Sequence, residues 1–379
     1  MLSLYDKRGP LHHAVRYHSL AAVRLLLDSG ANPNLQGGWC GAPLCDAVEY
    51  AWDDDDHDIV KALLQGGADV NGAARRPLHV ASERGHTSTV RLLLESGADP
   101  HLSGYDVTAL HAAAWGRDCT ATFSALLGAG ADPNTGDEAG RTALHYAVLC
   151  HQSPAVIQLL LDGGADPRIH DSNGGTALHY ALRDRGCTTT ILLSALLEAG
   201  ADPNARDDNG LMSLHYAVQW RSPPITQLLL KAGADPDSRD NKGRTPLFCA
   251  LIAAESTHTR WLEHAAALCD AGANIDCPDN QGITPLYDAL RCARQETIFS
   301  LLQLGADPFA GREGILVSPR AIVGLIGNVN MEAILAFVTR VRFRPESTSF
   351  AQDQCVSYFA SYLFIPTYLF RLGFLPVHE

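Results

Sequence analysis

The stretch "TALHYA" occurs at residues 142–147 and again at 176–181, and a close copy, "MSLHYA", stands at 212–217. Downstream of the first copy lies "LLLDGGA" at 159–165. Both phrases recur along the chain. A leucine-rich run closed by Gly-Ala appears nine times, at Gly30, Gly67, Gly97, Gly130, Gly164, Gly200, Gly233, Gly272 and Gly305. A second series keeps step with it: Leu11, Leu44, Leu78, Leu110, Leu144, Leu178, Leu214, Leu247 and Leu286. Two independent markers with a common period of about 33 residues describe tandem copies of one supersecondary unit.

Each unit reads as two short helices and a loop. Thr245-Pro246 and Thr284-Pro285 mark the start of the first helix. The threonine oxygen caps free backbone N–H groups, and proline at the first helical position loses no hydrogen bond. Leucine and a small alanine, such as Leu247 and Ala250, share one face, and the alanine lets a neighbouring helix come close. The second helix is apolar at helical spacing, as in Val90, Leu93 and Leu94. Glycine follows it because the chain must turn left-handed there. A polar turn comes next, written "DEAG", "DSNG", "DDNG", "DNKG" and "DNQG" in five units. Aspartate first and glycine last suit a tight turn.

The pattern G-A-D-x-N, D-x-x-G-x-T-P-L-H-x-A, L-L-L-x-x-G-A resembles the ankyrin repeat family, and residues 200–250 nearly write it out. The resemblance extends over about residues 5–310. It implies an all-α solenoid of stacked helix–turn–helix units with β-hairpin loops, running continuously over residues 1–311. A degenerate tenth unit is expected at 312–342, where Ser318-Pro319 and Gly327-Asn328 survive. There Arg320 and Ala321 replace leucine and histidine. Residues 343–379 leave the pattern.

Three units are longer than the rest. Their additions, "WDDDDHD" (52–58), "RDRGCTTT" (183–190) and "AESTHTRWLEH" (254–264), fall in or near the turn between the two helices. The glycine-to-leucine spacing across the hairpin stays constant from Gly130 to Leu286. The hairpin rim is therefore the ordered one, and the binding face is expected there.

Composition narrows the function classes. Apolar residues make up 46%, as in globular chains, and the formal charge is -13 without a Lys/Arg cluster. Phosphate backbones would be repelled on average, so nucleic acid is not an expected partner. Ten cysteines form no CxxC pair, which fits reduced thiols in the cytoplasm or nucleus. The N-terminus lacks the apolar run of a secretory signal.

The histidines of the ladder, His12, His79, His111, His145, His179 and His215, invite a metal-site reading. Zinc needs ligand atoms about 2 Å from itself, whereas equivalent atoms of adjacent repeats lie about 8–10 Å apart. No metal and no cofactor are expected. The resemblance implies that each imidazole bonds the backbone of the neighbouring turn; Cys45, Phe248 and Tyr287 replace it in three units. Tyr146, Tyr180 and Tyr216 form a second row, read as packing within the first-helix layer rather than a stacking platform. The aspartates of 53–58 lack the alternation of a calcium loop and read as a solvated turn. No phosphate-binding, zinc-protease, hydrolase or kinase motif is present, and Cys40 has no base to activate it, so no catalytic residue is assigned.

Recognition residues follow from the resemblance: hairpin tips and the exposed ends of first helices. The tips are Trp39, Arg75, Arg76, Tyr105, Glu138, Arg141, Asp208, Lys242, Arg244 and Gln281. The helix ends are Tyr17, Tyr50, Trp115, Arg183, Trp220 and Arg291. Trp, Tyr and Arg dominate interface hot spots. The tail contains "YFASYLFIPTYLF" (358–370), which Pro366 interrupts; it reads as a cap on the last repeat, ahead of a docking segment or a membrane anchor. The expected protein is a monomeric, non-catalytic interaction scaffold for a protein partner. The alternative is an adaptor, such as a ubiquitin-ligase substrate receptor recruiting through the tail, although no F-box or SOCS-box pattern is written there. An enzyme with chemistry near Cys40 is the reading of another class.

Overall fold

The computed structural model describes residues 8–307 and 310, apart from 38–40, 51–56, 73–75, 105, 117–118, 184–189, 221–222, 254–257 and 293. The degenerate unit at 312–342 and the tail at 343–379 lie outside the described residues. Chain packing groups the molecule into two units, 1–208 and 209–379.

The first unit contains six helix pairs: α1 (Pro10–Arg16) and α2 (Leu20–Asp28), α3 (Pro43–Glu49) and α4 (His57–Gln65), α5 (Pro77–Arg84) and α6 (Thr87–Glu95), α7 (Ala109–Trp115) and α8 (Thr120–Gly128), α9 (Ala143–Leu149) and α10 (Pro154–Asp162), α11 (Ala177–Arg183) and α12 (Thr190–Glu198). Helices α1, α3, α5, α7, α9 and α11 pack side by side in that order. Behind them α2 packs on α4, and α6, α8, α10 and α12 follow one another. The second unit repeats the plan with α13 (Ser213–Trp220), α14 (Pro223–Lys231), α15 (Pro246–Ala253), α16 (His258–Asp270), α17 (Pro285–Arg291) and α18 (Gln295–Leu304). Within it α13, α15 and α17 form one row and α14, α16 and α18 the other. The fold is an all-α repeat solenoid.

Three buried ladders hold each unit. The leucine series is buried throughout, from Leu11 to Leu286. Three residues on, always alanine, come Ala14, Ala47, Ala81, Ala113, Ala147, Ala181, Ala217, Ala250 and Ala289, all buried. The third ladder lies on the second helices, four residues before the closing glycine: Leu63, Leu93, Leu126, Leu160, Leu196, Leu229, Leu268 and Leu301. Each leucine removed from water contributes about 1.5–3 kcal/mol.

The expected punctuation is found. All nine closing glycines have positive φ, between 83° at Gly30 and 103° at Gly305. Thr245 Oγ1 accepts the Phe248 N–H at 3.3 Å, the cap expected of Thr-Pro. The hairpins are shorter than the resemblance implies. Among the described residues only two isolated β-bridges occur, Gly37 with Gly41 and Gly104 with Val107. In four other turns one return bond is seen, from Asp137 N to Arg141 O at 3.0 Å, Asp171 N to Gly175 O, Asp240 N to Arg244 O and Asp279 N to Ile283 O.

The long insertion of the eighth repeat is partly helical. Helix α16 has 13 residues where α14 has 9. The added turn carries Trp261, which is buried, and leads to buried His264, whose Nδ1 lies 2.9 Å from Thr226 Oγ1 of α14. The apolar indole makes this insertion continue the helix instead of looping into water.

Candidate protein-binding face

The histidines sit at the third residue of each first helix, which aims the ring at the preceding hairpin and at the next one. In the fifth repeat the Thr142 N–H donates to His145 Nδ1 at 3.1 Å, with the Thr142 hydroxyl 2.9 Å from the same nitrogen. The proton therefore belongs on Nε2, which donates to Gly175 O of the next repeat at 3.2 Å. His111 does the same between Thr108 N and Arg141 O, at 3.0 and 2.9 Å. His12 joins Gly9 to Gly41, and His215 joins Met212 to Arg244. Burial lowers the pKa of His145 to about 4 and depresses His111 as well, so both rings stay neutral.

His79 departs from this scheme. Its Nε2 lies 2.8 Å from Val107 O and 3.1 Å from Gly104 N, while its buried Nδ1 has no partner. The connection before it, from Gly67 to Leu78, is three residues shorter in sequence than most.

The turn aspartates are hubs. Asp137 Oδ1 accepts the N–H groups of Ala139 and Arg141, while Oδ2 accepts the Tyr146 hydroxyl at 2.7 Å and the Arg141 guanidinium at 2.8 Å. Asp171 receives Asn173 N, Gly175 N and the Tyr180 hydroxyl, the last at 2.6 Å. Asp240 receives Lys242 N, Arg244 N and the Arg244 guanidinium. Burial alone would raise these carboxyls, but the hydrogen bonds outweigh it and hold all three below the usual range. Burial and the aspartate bonds push Tyr146 and Tyr180 up to about 12.

Successive tips are joined by backbone. Ser172 N donates to Ala139 O at 2.8 Å, and Asp208 N to Asn173 O at 3.0 Å. In the second unit Asn241 N donates to Asn209 O and Asn280 N to Lys242 O. Earlier in the same connection, just after the second helix, an asparagine side chain performs the same task. Asn34 bonds Gly67 O and Asp69 N, Asn71 bonds Gly97 O and Asp99 N, and Asn134 bonds Gly164 O and Asp166 N.

The tyrosine row packs, as expected: Tyr146 and Tyr216 are buried and Tyr180 is half-buried. Trp115 lies edge-on to Tyr146 with centroids 5.6 Å apart, and the Arg141 guanidinium covers the same ring at 4.8 Å. This chain of contacts runs from the end of α7 to the 137–141 tip.

The predicted recognition residues fall in different settings. Trp39, Arg75 and Tyr105 lie outside the described residues, as do Cys40 and Asp53 to Asp56; of Trp220 only the helical backbone is described. Glu138, Asp208, Lys242 and Gln281 are exposed at tips, and Trp115, Arg183, Arg291 and Tyr17 at helix ends. Tyr50 is half-buried beneath the Arg16 guanidinium at 5.7 Å. Arg76, Arg141 and Arg244 are partly withdrawn: Arg76 bonds Ser103 O and Asn71 O, and the other two grip their own turn aspartates. Sequence reasoning passed over Leu149. It is 43% exposed beside Trp115, which is 47% exposed, and each stands five residues after its ladder leucine. That offset was the available signal.

Among the described residues no His, Cys, Asp and Glu group clusters as metal ligands do, and no helix is long and apolar enough to cross a membrane. Family models for ankyrin repeats match residues 44–137, 110–207, 186–262 and 214–311, and a single-repeat model matches 6–38. The chain is 32% identical over 112 residues to the nuclear factor NF-kappa-B p105 subunit of Gallus gallus, an alignment spanning 28% of this chain and 11% of that protein. This chain thus spans about a tenth of that relative's length. The crystal structure of the human ASB11 ankyrin repeat domain matches with a TM-score of 0.50 and 26% identity, covering 60% of this chain and 100% of that one.

Proposed function

The chain belongs to the ankyrin repeat family, a family of protein-interaction modules, and we propose that it is a non-catalytic scaffold that holds a protein partner against its first-helix ends and hairpin tips. One observation carries this reading. On this rim the polar groups inside the repeats are spent on structure, while Trp115 and Leu149 project from neighbouring helices into water. Among the described residues the rings of His111 and His145, the carboxylates of Asp137 and Asp171 and the hydroxyls of Tyr146 and Tyr180 are committed to backbone or to each other, which supports the non-catalytic reading. Preformed geometry lowers the ordering cost of binding. The compartment proposed for such a scaffold is the cytoplasm or nucleus, a reading that scattered cysteines without a CxxC pair support.

The test is affinity capture with the full chain as bait, identification by mass spectrometry, and repetition with Trp115→Ala and Leu149→Ala. A specific partner that both variants lose supports the reading. A partner that both variants keep, with the fold intact by circular dichroism, sinks it.

A further inference from the structure

Several large apolar side chains are exposed in the first unit. Leu25 at 68% and Ile191 at 65% stand on second helices in the first and sixth repeats, far apart in the series, and single exposed residues of this kind need no explanation. Trp115 and Leu149 differ. They occupy equivalent positions on α7 and α9, which pack directly on one another, with the axes of such neighbouring helices about 8–10 Å apart.

The exposed charges described at the two hairpin tips beside this pair are acidic. The hairpin before α7 carries exposed Asp106, and the hairpin before α9 carries exposed Glu138. Glu138 adjoins Asp137, which is linked through Tyr146 to Trp115 itself. The one cation of that tip, Arg141, is taken by Asp137 at 2.8 Å and stacked on Tyr146. On the helix row the exposed cations described stand one repeat away on either side: Arg183 beyond Leu149, and Arg84 before Trp115, the latter paired with Glu49. The whole chain adds a formal charge of -13.

We propose that the Trp115–Leu149 pair, bracketed by Asp106 and Glu138, docks an extended segment of a partner protein that carries an apolar anchor flanked by lysine or arginine. This rests on the reading that the first-helix rim is the binding face, and it adds the chemistry of the ligand. The anchor covers Trp115 and Leu149 and removes both from water, while the flanking cations meet the tip carboxylates. The carboxylates speed encounter and select sign, and the apolar pair supplies hold.

The experiment selects random 16-residue peptides displayed on phage against the immobilised full chain, then measures the winners by fluorescence anisotropy. Peptides with an apolar residue beside lysine or arginine are expected. Their affinity should fall about tenfold or more with Leu149→Asp or Trp115→Ala. Glu138→Lys should weaken them severalfold, and raising salt from about 50 to about 300 mM should do likewise. Leu149→Asp guards against a folding defect in the tryptophan variant, because Leu149 is exposed. Winners that are acidic or uncharged yet depend on Leu149 would overturn the basic-ligand proposal and leave the face standing. Winners indifferent to Leu149 and Trp115 but lost with Ile191→Asp would overturn the face as well. Failure to enrich any peptide would also overturn the proposal.

Discussion

The Tyr146 hydroxyl donates to Asp137 Oδ2 at 2.7 Å, joining the fourth residue of a first helix to the first residue of its own hairpin. The same bond joins Tyr180 to Asp171 at 2.6 Å. It fixes the tip relative to the helix that presents Trp115's neighbour ring, so the rim is set by side chains as well as by backbone. Tyr146→Phe should keep the fold and lower stability by about 1–2 kcal/mol, the worth of a hydrogen bond to a carboxylate. Urea unfolding followed by circular dichroism measures this, and an unchanged midpoint would show the bond to be idle.

The histidine stitches should differ in value. His145 uses both ring nitrogens, whereas buried His79 leaves Nδ1 unpaired. His145→Ala should cost about 2–4 kcal/mol from lost bonds, exposed backbone partners and a cavity. His79→Ala should cost visibly less. Equal losses in side-by-side urea titrations would contradict the assignment of these bonds.

Much of this was legible beforehand and some was not. The period, the capping Thr-Pro, the left-handed glycines and the buried leucine ladder are local or periodic, and they are written in one strand of text. The task of Asn34, Asn71 and Asn134 is not, because each amide meets backbone a whole repeat away. Arg141 and Arg244 look like free tip residues in sequence. The aspartate four residues earlier claims each of them, an outcome that depends on turn geometry. Leu149 reads as one more core leucine until the stacking of α7 on α9 shows which side remains open.

Acid should loosen the array in two stages. Burial lowers His79 and His145 from 6.5 to about 4 in the folded chain. A group whose folded pKa is depressed binds more protons when unfolded, so stability is full above pH 6.5 and is lost as pH falls toward 4. Each such ring contributes on the order of 2–3 kcal/mol across that window. Asp137, Asp171 and Asp240, held below 3.8, add a further loss at lower pH. Urea midpoints at about pH 7.5, 6 and 4.5 test this, and the slope should flatten in His145→Ala.

Metal should make no difference to stability. Each ladder ring with two bonds would have to surrender a backbone partner to bind zinc, and neighbouring rings stand about one helix spacing apart. Thermal unfolding with excess chelator, and with added zinc, should superpose on the untreated curve. A melting temperature that drops in chelator would overturn the structural reading of the ladder.

Two glycines with nearly the same φ should respond differently to alanine. Gly130 closes a second helix at φ 86°, and a Cβ there would meet nothing within 4 Å. Gly174 closes a hairpin at φ 72°, and its Cβ would lie 3.0 Å from Asp207 Cα and 3.1 Å from Asp208 N in the next hairpin. Both substitutions incur the left-handed penalty, about 1 kcal/mol. Only Gly174→Ala must also push apart two tips joined by the bond from Asp208 N to Asn173 O. It should therefore cost about 1–3 kcal/mol more than Gly130→Ala, the range for steric overpacking. It should also speed hydrogen exchange at Asp208 N, a readout that a purely conformational penalty would leave alone. If the two variants unfold at the same urea concentration, the tips are not held together as tightly as the geometry requires.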